Sequence, residues 1–410
     1  MTLAQMIVAL ADGATCVSDL AALRDQPALF GATASHPTTW RTFANFGPAE
    51  FRDLAAARAS ARAAAWAAGA GPAGDEAIVD LDATLIRTRA DKEDARPTYK
   101  RTYGHHPLLA MIAECDEVLT GKMRPGNAGA NCAEDHVVVL EAAIAQLPAA
   151  WQAGHHPGDD PATAQKRLLI RADAAGASHW LTEECRDRNL QYSIGYHIDH
   201  RVRDALLLTQ EQAWVRAIEP GGKIRDGAEV AELTDLIDLA AWPEGTRLIV
   251  RREDPHPGAQ LSLFDTVEGK RHTAFITDTV GDDIAALELR HRQRARSEAV
   301  IRDTKACGLA KLPFDGVANN GLWMQLCFAA NDLLAWGRHI SLDGGMRRAT
   351  PKTIRYRLLH TAARTSAGHH RLHLDHNWPW NTILIDAIGR VRRHLTPLTE
   401  PTRPGVHPGL

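Results

Sequence analysis

The stretch from Arg167 to Tyr196 constrains the fold more than any other part of the chain. Arg167-Leu168-Leu169-Ile170-Arg171-Ala172-Asp173 reads as a buried strand ending on an aspartate. Ser178 can cap a helix over His179 to Asn189, and Leu190 to Tyr196 returns as a strand. Such a strand–helix–strand unit predicts an α/β fold. Asp173 then sits at the carboxyl end of a strand, where open α/β sheets place their sites. Upstream, Ala77-Ile78-Val79-Asp80-Leu81-Asp82 alternates so that Ile78, Asp80 and Asp82 share one face. Leu108 to Glu114 and Glu117 to Met123 follow as two apolar runs joined at Asp116, so this part predicts an antiparallel meander.

With 410 residues, 45% hydrophobic and 24% charged, the chain has the composition of a globular protein of two or three domains. It has no apolar run long enough to cross a membrane and no basic segment ahead of its first apolar stretch, so neither a membrane partner nor a secretory signal is expected. Its six cysteines are scattered without a CxxC pair, which points to a reducing, cytoplasmic setting. Residues 1–73 read as a helical N-terminal region, with Ser35 as a cap before Pro37, and the glycine-rich stretch from Gly69 to Gly74 as a linker. Residues 74–204 read as the first part of an α/β core. Residues 205–283 read as a β-rich insertion, with strands at Arg247 to Arg251, Gln260 to Phe264 and Thr273 to Thr277. Residues 284–340 complete the core, and 341–410 form a basic C-terminal region. From Arg338 to Arg393 eleven Lys or Arg face three Asp, a local balance of +8 within a chain of net charge −3, which suits a polyanion held on one face.

The segment Arg290 to Lys305, RHRQRARSEAVIRDTK, carries the sharpest chemical pattern. At about 100° per residue, His291, Arg294, Glu298, Arg302 and Lys305 fall on one helical stripe. A solvated helix face in which Glu298 pairs with Arg294 or Arg302 is the plain alternative. Together with Asp82 and Asp173, however, the stripe supplies three carboxylates and a set of cations. Metal-dependent cutting of a phosphodiester needs that combination. The pairs His105-His106, His155-His156 and His369-His370 point apart on extended chain and have no carboxylate at zinc-site spacing, so zinc is not expected. Trp378-Pro379-Trp380 reads as a cluster pinning the C-terminal region rather than as a base-stacking platform.

In this ordered set the chain resembles the DDE-class insertion-sequence transposases with an RNase H-like core. Relatives with a β-rich insertion carry Tyr, two residues, Arg, three residues, Glu, six residues, Lys. His291, Arg294, Glu298 and Lys305 match that spacing, with His in place of Tyr. Asp82-Ala83-Thr84 matches the Asp-x-Thr of the first strand, and Arg171-Ala172-Asp173 the context of the second aspartate. Gly104-His105-His106-Pro107-Leu108 and Arg124-Pro125-Gly126-Asn127 extend the resemblance, which covers residues 15–395. Relatives commonly begin several tens of residues earlier.

The resemblance implies an RNase H-like mixed sheet with Asp82, Asp173 and Glu298 as catalytic, metal-binding carboxylates, Asp80 remaining an alternative first ligand. It implies two Mg²⁺ ions, with Mn²⁺ as a substitute. His291, Arg294, Arg302 and Lys305 would contact DNA, and the N-terminal region would bind the element's ends. The implied activity is binding of terminal repeats, cleavage there and joining of the 3′-hydroxyl to target DNA, performed by a homodimer. A nuclease that cuts without joining and a non-catalytic DNA-binding remnant are the rival readings.

Overall fold

The computed structural model describes residues 2–25, 27–129, 132–255, 266–267, 269–281, 283–365 and 372–395. Its frame is one ten-stranded mixed sheet. The main strands are β1 (Glu76–Ala83), β2 (Leu108–Ile112), β3 (Glu117–Lys122), β4 (Arg167–Ala172), β5 (Gln191–Tyr196), β6 (Val215–Ile218), β7 (Ile224–Glu232), β8 (Arg247–Glu253) and β9 (Lys270–Thr277). They lie side by side as β3-β2-β1-β4-β5-β9-β8-β7-β6, with Thr266–Val267 paired to β9. β1 runs antiparallel to β2 and parallel to β4, and β4 runs parallel to β5. This is the mixed α/β core expected of an RNase H-like fold.

Alternation of side chains decides which helices cover each face. Val79, Leu81, Leu108, Ala110 and Ile112 point into a core shared with α4 (Ala133–Ile144), α5 (His179–Asp187) and α6 (His200–Leu208). Leu109, Met111 and Val118 point the other way, toward α1 (Thr2–Asp12) and α9 (Val317–Ser341). Asp80 and Asp82 alternate with Val79 and Leu81, so they face this second side. α7 (Ile284–Arg292) and α8 (Arg296–Thr304) lie between the sheet and α9 in sequence, and Val300 and Ile301 of α8 join the second core.

The β-rich insertion is continuous with this sheet. β9 pairs antiparallel with β5, and β8, β7 and β6 follow outward. Adding strands to β5 satisfies backbone groups that an edge would leave open. β6 and β7 are elements the sequence reading left out, and the strand expected at Gln260 to Phe264 lies outside the described residues. The loop between β1 and β2 holds a small three-stranded sheet of Ile86–Arg87, Arg96–Pro97 and Tyr103–His105.

The N-terminal helices pack on the core. α1 buries Met6 and Leu10, and Ser35 accepts a hydrogen bond from Thr38 N to cap α2 (His36–Ala44), whose Phe43 stacks on Phe314 at 4.6 Å. α3 (Pro48–Ala65) sends two buried arginines into the interior. Arg58 and Arg62 both reach Asp332 Oδ2 of α9, at 2.9 and 2.8 Å, while Val118 N donates to Oδ1 at 2.8 Å. Arg62 also binds Glu117 at 2.7 Å, and the Trp66 indole donates to the same carboxylate. Two cations and two carboxylates thus balance in the interior. Basic residues near the C-terminus serve the interior too. Arg338 pairs with Asp116 at 3.1 Å and donates to Ala349 O, and Arg355 donates to Leu10 O, Ala11 O and Ala306 O. Trp378 and Trp380 cluster with Tyr356, and Trp380 packs against the core ahead of α10 (Asn381–Leu395). Of the basic residues counted from Arg338 onward, these two at least are internal ties.

Removing one member of the α3–β3–α9 network leaves buried charge unpaired. Asp332→Ala should lower unfolding free energy by about 3–5 kcal/mol in urea titration. A loss below about 1 kcal/mol would mean that the network contributes little.

Candidate active site

The register of β1 and β4 builds the floor of the site. Asp80 lies opposite Arg171 and Leu81 opposite Ala172, so Asp82 and Asp173 are the next residues on two neighbouring parallel strands, spaced about 4.8 Å apart. Asp80 is fully buried, and Arg171 binds both its oxygens, at 2.7 and 2.8 Å. Asp82 instead opens into a cleft of about 940 Å³ that Asp173 and Glu298 also line. Asp173 follows the last residue of β4 and caps a 3₁₀ turn, accepting from Gly176 N at 3.1 Å.

The helical segment that carries Glu298 departs from the straight stripe expected of it. Gln293–Ala295 forms a 3₁₀ turn between α7 and α8. Three residues at three per turn rotate the helix about 60° further than α-helical winding would. His291 is therefore turned toward the sheet. Its ring stacks on Phe275 with centroids 4.4 Å apart, and Nδ1 meets the Ser193 hydroxyl at 3.0 Å. Burial, aided by Arg294 and Arg171, holds its imidazole down to about 3. In the free protein His291 therefore carries a neutral imidazole packed on Phe275, not a charge that varies near neutral pH.

The other stripe residues also separate. Arg294 donates to Asp82 at 3.1 Å, and buried Ser297 donates to the same oxygen at 3.2 Å. Arg302 is exposed and binds its neighbour Asp303, while Lys305 donates to the Thr84 hydroxyl at 2.7 Å and to Leu85 O at 3.1 Å. Neither Arg302 nor Lys305 lines the cleft, and burial lowers the Lys305 ammonium. Glu298 is exposed at the cleft with no hydrogen-bond or ion-pair partner among the described residues, so the alternative of a solvated pair with Arg294 or Arg302 is not realised.

The remaining walls hold residues given no role by the sequence. Pro97, Thr98 and Tyr99 come from the small sheet, and His106, Asn127 and His136 from the loops and helix around it. His136 Nδ1 lies 2.9 Å from Cys132 O, and burial lowers both imidazoles. Nothing in the sequence marked His136 or Ser297, whereas His106 and Asn127 stand in motifs of the resemblance.

These groups leave the cleft short of positive charge. Three carboxylates face one guanidinium, and the histidines are held neutral. Burial raises the Asp82 carboxyl; Arg294 pulls it back, and the charge of Asp173 adds to the rise. A deficit of two charges between adjacent carboxylates fits a divalent cation. Among the described residues no three His, Cys, Asp or Glu form a ready metal cage. Mg²⁺ does not require one, because it keeps waters and binds one or two carboxylates plus substrate oxygens.

Residues 1–396 match the family described as "Transposase DDE domain group 1". No curated protein matches the chain. Among solved structures, the chain is similar to a piggyBac transposase in a synaptic complex with hairpin DNA, with a TM-score of 0.38 and 12% identity. That similarity covers 68% of this chain and 51% of the other, so the chain spans about half the length of that protein.

The setting of His291 has a measurable consequence. Its folded value of about 3 lies below the ordinary 6.5, so the unfolded chain binds the extra proton in between. Stability from this group is present above pH 6.5 and lost as pH falls toward 3, by at most about 1.4 kcal/mol per pH unit. Urea unfolding at pH 7 and pH 5 should show a smaller loss for His291→Phe than for the native chain. Equal losses would place the imidazole in solvent.

Proposed function

Because the chain belongs to the DDE transposase family, we propose that it binds the terminal repeats of its own element, cleaves the DNA there and joins the freed 3′-hydroxyl to target DNA. The observation that carries this reading is the shared cleft of Asp82, Asp173 and Glu298, with Asp82 and Asp173 side by side on parallel strands. Asp82, Asp173 and Glu298 would hold the divalent cations, two Mg²⁺ or Mn²⁺ ions, together with phosphate oxygens of the DNA. A divalent ion held there would supply activation of the attacking water or 3′-hydroxyl and stabilisation of the leaving oxygen of an in-line displacement.

The chain's own residues orient this chemistry. Arg294 shields Asp82 in the free protein and has further guanidinium donors for a phosphate beside the cut. Arg302, exposed and tied to the adjacent Asp303, grips backbone phosphate further along. Lys305 fixes Thr84, two residues beyond Asp82, and so aims the end of β1 rather than touching DNA. Ser297 holds the Asp82 oxygen that Arg294 also binds. The protein works as a homodimer on paired element ends in the cytoplasm.

Asp82→Asn, Asp173→Asn and Glu298→Gln are nearly isosteric, so each should fold, bind DNA and fail to cleave it. Native cleavage should appear with Mg²⁺ or Mn²⁺ and vanish in chelator, and Ca²⁺ should support binding alone. A supercoiled plasmid bearing the element's repeats reports the outcome. Joined products support the proposal, nicks alone point to a nuclease, and a mobility shift without cleavage points to a binding remnant. Cleavage surviving in all three variants would remove the metal reading.

A further inference from the structure

Tyr99 stands at the tip of the small sheet beside the carboxylates, in the sequence Thr98-Tyr99-Lys100-Arg101-Thr102. It is 73% exposed, more than any other aromatic side chain among the described residues, yet it lines the cleft. A ring at the mouth of this cleft, with a lysine beside it, has one face open to a ligand. Lys100 Nζ lies 5.6 Å from the ring centroid, and the His106 ring is tilted at 6.3 Å.

The support beneath this ring is stiff. Thr98 N donates to Thr102 O at 2.7 Å, Arg101 N to Thr98 O at 2.9 Å, and the Thr98 and Thr102 hydroxyls meet at 2.9 Å. Arg101 adopts a left-handed φ of 55°, which sharpens the turn. Below, a side chain at Gly126 would lie 2.4 Å from the carbonyl oxygens of Arg96 and Gly104, so the Pro125–Asn127 loop fits closely under the strands. Lys92 donates to Phe314 O, and Val317 N donates to Glu93, which fastens the same loop to the start of α9.

A fixed aromatic face flanked by Lys100 and Arg101 has the chemistry of a stacking platform for single-stranded nucleic acid. Paired bases in a duplex offer only their edges. We propose that Tyr99 stacks on an unpaired nucleotide adjoining the phosphodiester held at Asp82 and Asp173. Lys100 and Arg101 hold the backbone of that displaced strand. The inference rests on the transposase reading and adds a recognised feature, an unpaired base at the cut.

The test uses the full chain in chelator, a duplex of about 20 base pairs with a blunt end, and the same duplex with a short single-stranded extension carrying 2-aminopurine next to the junction. The native protein should favour the extended duplex by about 5- to 10-fold and quench the 2-aminopurine, as stacking does. Tyr99→Ala should lose both the preference and the quenching, whereas Tyr99→Phe should keep them. Melting curves of the two variants establish that both are folded. Preference and quenching retained in Tyr99→Ala, or absent from the native protein, overturn the stacking role. Native cleavage in Mg²⁺ without any preference for the extension overturns this inference alone, whereas a failure to bind either DNA overturns it together with the transposase reading.

Discussion

The ion pair between Asp80 and Arg171 organises everything that faces the cleft. It crosses between β1 and β4 at residues in register, and Arg171 donates onward to the carbonyl of Arg290 at the end of α7. One guanidinium therefore joins the two strands that carry Asp82 and Asp173 to the helical segment that carries Glu298. Side chains repeat every two residues along a strand, so the residue two places beyond Asp80 and the one two places beyond Arg171 emerge on the same face. Those residues are Asp82 and Asp173. A buried pair of this kind adds little net stability compared with an apolar replacement, while losing one partner costs about 3–5 kcal/mol. Its contribution is positional.

Charge in the cleft follows from the same arrangement. Placing Asp82 next to Asp173 with partial burial raises the energy of the ionised pair, and Arg294 relieves that strain with a cation supplied by the protein. A divalent ion held by Asp82 and Asp173 would relieve it more fully, and Arg294, which donates to Asp82 through one guanidinium nitrogen, keeps further donors that could meet a phosphate. Glu298, without a partner among the described residues, has no such contact to surrender.

Much of this was legible in the sequence because burial periodicity is local. The alternation around Asp80 and Asp82 and the run Leu168-Leu169-Ile170 marked β1 and β4, and Ser178 and Ser35 cap the helices they precede. β6 and β7 escaped because IRDGAEVAE mixes charge into a strand near the sheet's outer edge, where only its later residues are buried. The winding of α7 into α8 escaped for a different reason. Nothing in RHRQRARSEAV distinguishes a 3₁₀ turn from an α-turn, yet that difference decides that the His291 ring lies against Phe275. Periodicity finds a stripe; it does not say which neighbour the stripe meets.

The same limit governs the reading of cationic residues. Arg58, Arg62, Arg171, Arg338 and Arg355 are all buried, and each has carboxylate or carbonyl partners inside the fold. A count of basic residues therefore overstates the field available to a polyanion, because an arginine matched to internal acceptors gives little of its charge to the surface. What remains for DNA is set by exposure and by the absence of a strong partner. Arg302 meets the first condition, and the Lys100–Arg101 turn meets it next to an open aromatic face. Lys305 fails it, since both its contacts hold the loop after β1. Position in a motif thus placed residues around the cleft better than it said what each one touches. Three of the four stripe residues beside Glu298 point at protein, and by doing so they hold in place the carboxylates that point at the cleft.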